Sequence, residues 1–93
     1  MPDATFEKLR ALALSFPILS SAHVSQSVNL AELLAELRRA LRGGLGRGGI
    51  HAARFCLHVF NSANPFNLCE AVGTWDCMNL RAFKAWAVNP FTL

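Results

Sequence analysis

The sequence predicts an all-α fold, a small irregular bundle or orthogonal array of four to five short helices forming one domain over residues 1–93. Three observations carry this. Apolar side chains recur every three to four residues along most of the chain, the spacing that gathers them on one helix face. Hydrophobic residues make up 53% of the sequence and charged residues 16%, which is apolar enough for a core and too sparsely charged for a disordered chain. Punctuation at Pro17, Gly43-Gly44, Pro65, Gly73 and Pro90 cuts the periodic stretches into short, unequal lengths, which suit an irregular array better than a long up-and-down bundle.

The first helix is expected over residues 3–15, capped by Asp3 or Thr5, with Phe6, Leu9, Ala13 and Phe16 at helical spacing and Pro17 as its stop. A serine-rich connector follows over residues 20–27. The second helix has the clearest signal. Asn29 with Glu32 resembles a capping box, and Leu30, Leu33, Leu34, Leu37 and Leu41 form one apolar stripe. Glu32 and Glu36 fall toward the positive end of the helix dipole, and Arg38, Arg39 and Arg42 toward the negative end. Gly43-Gly44 closes it. The third helix, over residues 50–62, is apolar almost all round apart from a stripe of His51, Arg54 and His58, so it belongs at the centre. A short fourth helix begins at Asn67 and ends near Gly73. The fifth begins at Thr74 or Asp76 and runs to Val88, with Leu80, Phe83, Trp86 and Ala87 turned inward and Asn89-Pro90 as its stop.

No apolar run approaches the roughly 18–20 residues that span a bilayer. The N-terminal residues place acids ahead of any apolar stretch and lack a basic leader, so the expectation is a cytoplasmic protein without a membrane. The three cysteines, Cys56, Cys69 and Cys77, suit reduced thiols, and burial as small hydrophobes is their default.

Catalytic and metal chemistry find little footing. His23, His51, Cys56, His58, Cys69 and Cys77 include no closely spaced Cys–Cys or His–His pair of the sort that preorganises zinc, so no metal or other cofactor is expected. No strained serine elbow is present, and six carboxylates are dispersed along the chain. The expectation is a protein that is not an enzyme. The glycine-rich segment Gly43-Gly44-Leu45-Gly46-Arg47-Gly48-Gly49 lacks the ending and the preceding strand of a phosphate loop, and reads as a flexible interhelical loop.

Two classes of function remain. The leading one is a module that docks on another protein, or on a second copy of itself, through an apolar-aromatic surface with a basic rim. Trp75, Arg81, Lys84 and Phe91 are its expected contact residues, with Trp75 partly exposed between two helices. An adaptor or an inhibitor, including one of phage or mobile-element origin, would fit that description. The second class is nucleic-acid binding, alone or within a host nucleoprotein complex. It rests on Arg38, Arg39, Arg42, Arg47 and Arg54, which lie in one stretch free of acids. Asn-Pro-Phe occurs at residues 64–66 and again at 89–91. The tripeptide is similar to the short motif bound by EH domains of endocytic adaptors, but its place after two helices makes it a helix stop whose Phe folds back on the core.

Overall fold

A computed structural model describes residues 4–20 and 23–93. Asp3, one of the two expected caps, and Ser21-Ala22 of the connector lie outside the described residues. Among the described residues the elements in chain order are α1 (Thr5–Ser15), α2 (Pro17–Ser20), a 3-10 turn (His23–Gln26), α3 (Leu30–Ala40), α4 (Gly46–Phe60), α5 (Leu68–Thr74) and α6 (Cys77–Val88), with no strand. The chain is therefore all-α. None of these helices is long and apolar enough to cross a membrane.

Local chemistry accounts for most of the boundaries. At α1 the capping position is Ala4, which supplies no side-chain bond, so Thr5 is the first helical residue and not the cap. Pro17 ends α1 and also opens α2, because a first helical residue has no amide bond to lose. The capping at α3 follows the sequence closely. Asn29 Oδ1 accepts from the Glu32 amide at 2.9 Å, and the Glu32 carboxylate accepts in return from the Val28 amide at 3.3 Å. Leu33 and Leu37 are fully buried and Leu30, Leu34 and Leu41 half-buried, as the stripe requires. Asn67 and Asp76 cap α5 and α6 in the same manner, through the amides of Glu70 and Asn79.

The start of α4 departs from expectation. It begins four residues early and takes in half of the glycine-rich segment, which is therefore not a flexible loop throughout. Two glycines with positive φ, Gly43 at 92° and Gly46 at 76°, turn the chain sharply from α3 into α4. Farther in, Gly49 is buried where a Cβ would collide with the Leu45 Cβ. Glycine here serves close packing within a helical first turn.

α4 packs against α1, α2, α3 and α5, the central place its composition demands. From its middle, Phe55 (2% exposed) touches the rings of Phe16, Phe66, Trp75, Phe83 and Trp86 at centroid distances of 5.8, 5.2, 6.3, 5.3 and 5.0 Å. Most of these pairs are edge-on or tilted, the arrangements aromatic quadrupoles favour. Trp75 is part of this core and not of the surface. It is 7% exposed, packs at a tilt against Phe16 with ring centroids 5.2 Å apart, and its indole Nε1 donates to the Gly48 carbonyl at 3.2 Å. The expectation of a partly exposed Trp75 is overturned: the ring packs among Phe16, Phe55, Phe66 and Phe83, and the Gly48 carbonyl of α4 satisfies its N–H.

α6 sits with a different face inward than its sequence suggests. Asn79 and Ala82 are buried, Leu80, Phe83 and Trp86 are half-buried, and Ala87 is exposed. Asn79 explains the rotation. Its Oδ1 accepts from the Ile18 amide of α2 at 3.2 Å and its Nδ2 donates to the Asp76 carboxylate at 2.9 Å, so a polar residue ties α6 to α2 with its hydrogen bonds met.

Replacing Trp75 with Ala should lower stability by about 3–5 kcal/mol, the cost of a lost buried ring plus its cavity. Trp86→Ala should cost distinctly less, since that ring is half-exposed. Thermal or denaturant melting of both variants measures this, and the opposite order would place the two rings wrongly.

Candidate functional site

Two surface features gather side chains capable of recognition. The first is an apolar groove of about 310 Å3 between α1 and α6, lined by Lys8, Ala11, Leu12, Ser15, Ala82, Ala85, Trp86 and Phe91. Small residues form much of its wall, which keeps the two helices close and leaves a trough between larger neighbours. Its polar groups are largely spent. Ser15 Oγ donates to the Leu12 carbonyl at 2.6 Å, and Trp86 Nε1 donates to the Phe91 carbonyl at 3.1 Å. That second bond joins the two aromatic residues and leaves their rings as apolar surface. Lys8 is the one lining side chain whose polar end is free among the described residues.

Of the expected contact residues, Phe91 lines this groove and Arg81 and Lys84 are exposed on α6, the helix that forms one wall. Trp75 lies in the core and takes no part. Sequence reasoning missed Trp86, Lys8 and the small residues. The regular spacing of Ala11 with Ser15 and of Ala82 with Ala85 carries that signal only once the two helices are known to be adjacent.

The second feature is a cleft of about 400 Å3 between α4 and α5, lined by Arg47, His51, Cys69, Glu70, Gly73 and Thr74. The early start of α4 makes it possible, because Arg47 now stands one turn before His51 on the same helix. His51 is buried, and its Nδ1 has no hydrogen-bond partner. Farther along the same stripe His58 is committed: its Nδ1 pairs with the Asn64 carbonyl at 2.7 Å.

The five arginines of residues 38–54 do not share one environment. Arg38, Arg39, Arg42 and Arg47 are exposed and Arg54 is half-buried. Arg39 stands 3.7 Å from Glu36 across one helical turn, and Arg47 shares its cleft with Glu70. Acids from outside the segment thus stand beside two of the five. The first Asn-Pro-Phe is also committed. Asn64 Nδ2 donates to the Leu57 carbonyl at 3.0 Å and Phe66 packs on Phe55 and Trp75, so this copy serves as a helix stop.

Among the described residues no three His, Cys, Asp or Glu side chains converge as a metal site would require. The cysteines divide. Cys56 is buried in the core, and that burial pushes its thiol far up, whereas Cys69 and Cys77 are exposed, against their expected burial as small hydrophobes. Both sit at the starts of α5 and α6, short helices with one face left to solvent. The chain matches no protein-family model, no curated protein and no solved structure.

A thiol-specific reagent should therefore modify Cys69 and Cys77 in the native protein and reach Cys56 only after unfolding, since the thiolate is the reactive form and burial suppresses it. Spectrophotometric titration before and after denaturant counts the groups. Rapid modification of all three in native buffer would contradict the core assigned to Cys56.

Proposed function

We propose that this protein is a non-enzymatic interaction module, an adaptor or inhibitor, that docks on another protein through the groove between α1 and α6. The observation that carries this reading is the state of the groove's polar groups. Ser15 and the Trp86 indole are already bonded within the chain, so the trough offers apolar surface and, at its edge, the cation Lys8. Such a surface rewards an apolar or aromatic anchor that leaves no buried donor unpaired. Arg81 and Lys84 add exposed positive charge on α6, which has no acid between Cys77 and Val88. The partner segment is accordingly amphipathic, with Leu- or Phe-like anchors and Asp or Glu beside them, so that charge guides encounter and apolar burial holds the complex.

Selection from a peptide display library tests this. Peptides enriched on the native protein should carry paired apolar anchors flanked by acids. The variant Ala85→Glu, which places charge in the groove at an exposed position, should weaken their binding at least about tenfold, or about 1.4 kcal/mol. Peptides that bind the variant equally well would overturn the site. Salt-sensitive binding of duplex or single-stranded nucleic acid, abolished by Arg39→Ala, Arg42→Ala and Arg47→Ala together, would replace the reading with the second class.

A further inference from the structure

The last third of the chain divides by charge. Residues 81–93 hold Arg81 and Lys84 and no acid, whereas residues 59–80 hold Glu70 and Asp76 and no basic residue. All four charged side chains are exposed. The acidic stretch also gathers exposed apolar surface. Among the described residues five large hydrophobic side chains are exposed, and three of them lie here: Leu68 (44%) and Val72 (41%) on α5, and Met78 (53%) in the first turn of α6. Leu68 and Val72 stand one helical turn apart and share a face. The Glu70 carboxylate makes no ion pair or hydrogen bond among the described residues, although Arg47 lines the same cleft.

α5 buries Ala71 alone and packs on α4. With about 3.6 residues per turn, Cys69 and Gly73 form its outermost ridge, Leu68 and Val72 one flank and Glu70 the other. Both ridge residues are small, and a Cβ added at Gly73 would meet nothing within 4 Å, so this ridge allows close approach. No α5 residue lines the groove between α1 and α6, so one chain presents the two surfaces separately and does not cover one with the other.

We propose, on the docking function given above, that the groove's occupant is α5 of a second copy of this chain. Leu68 and Val72 lie against the rings of Trp86 and Phe91, and Glu70 lies on the side of Lys8, Arg81 and Lys84. Apolar burial holds the contact and the charges set its orientation. Because groove and α5 are different surfaces, the contact is head-to-tail. Self-association and partner docking then compete for one surface.

Sedimentation velocity of the intact protein from about 10 μM to about 1 mM covers the affinities of weak interfaces. The native chain should exceed its monomer mass of 10.2 kDa as concentration rises. Two substitutions at exposed positions, Ala85→Glu beside the groove's rings and Val72→Lys on α5, should each weaken self-association at least about tenfold with circular dichroism unchanged. Mixed in equal amounts, the two variants should form a dimer again, since the first keeps its α5 and the second its groove. The proposal is overturned if the native chain stays monomeric at about 1 mM, if either variant self-associates as well as the native chain, or if the mixture stays monomeric. A monomeric native chain that still selects acid-flanked apolar peptides would remove self-association and leave the docking groove standing. One that selects none would remove both.

Discussion

The contact on which the rest of this structure depends is that of Trp75 with the bare first turn of α4. The indole ring fills the space between Phe16, Phe55, Phe66 and Phe83, and its N–H reaches the Gly48 carbonyl at 3.2 Å. Ring and hydrogen bond need each other. A buried indole without an acceptor would forfeit part of what its apolar area contributes, and Gly48, whose carbonyl accepts its N–H, lies within van der Waals reach of Ile18, Thr74 and the ring. Through this contact the junction of α5 and α6 is fixed to the central helix, and Phe55 then gathers the other rings.

Where each indole N–H finds its acceptor separates core from surface. Trp75 bonds across 27 positions to another helix and is drawn inward. Trp86 bonds to Phe91, only five residues ahead, so its polar end is met locally while the ring stays half-exposed at the α1–α6 groove. A local hydrogen bond of this kind lets an aromatic surface remain accessible without an unmet donor. The groove and the core are thus two outcomes of one requirement, satisfaction of the indole N–H. Asn79 obeys the same rule with an amide, joining α2 and α6.

The parts of the fold legible in the sequence were those decided locally. Asn29 and Glu32, the leucine stripe of α3, the apolar circumference of α4 and the stops at Pro17 and Asn89-Pro90 all act within a turn or two of themselves, and each appears where the spacing places it. What was not legible depends on partners distant in the chain. The glycines after Leu45 signal flexibility in isolation, but Gly49 packs against the Leu45 side chain within the first turn of α4, and the Gly48 carbonyl accepts from the Trp75 indole. α6 was expected to bury its largest residues, whereas the bond from Ile18 to Asn79 rotates it so that Ala82 faces inward and Trp86 lies at the edge. The candidate site followed the same division. Phe91 could be named from its residue type, whereas the trough it lines and the pairing of α1 with α6 exist only in three dimensions.

Hydrogen exchange at the Trp75 indole, followed by nuclear magnetic resonance, tests the central contact most directly. With the N–H bonded to Gly48 and the ring in the core, exchange should require global unfolding and match the slowest backbone amides of α4. Exchange at the rate of a free indole would mean that the ring is not held against α4, and the arrangement of helices built on it would be contradicted.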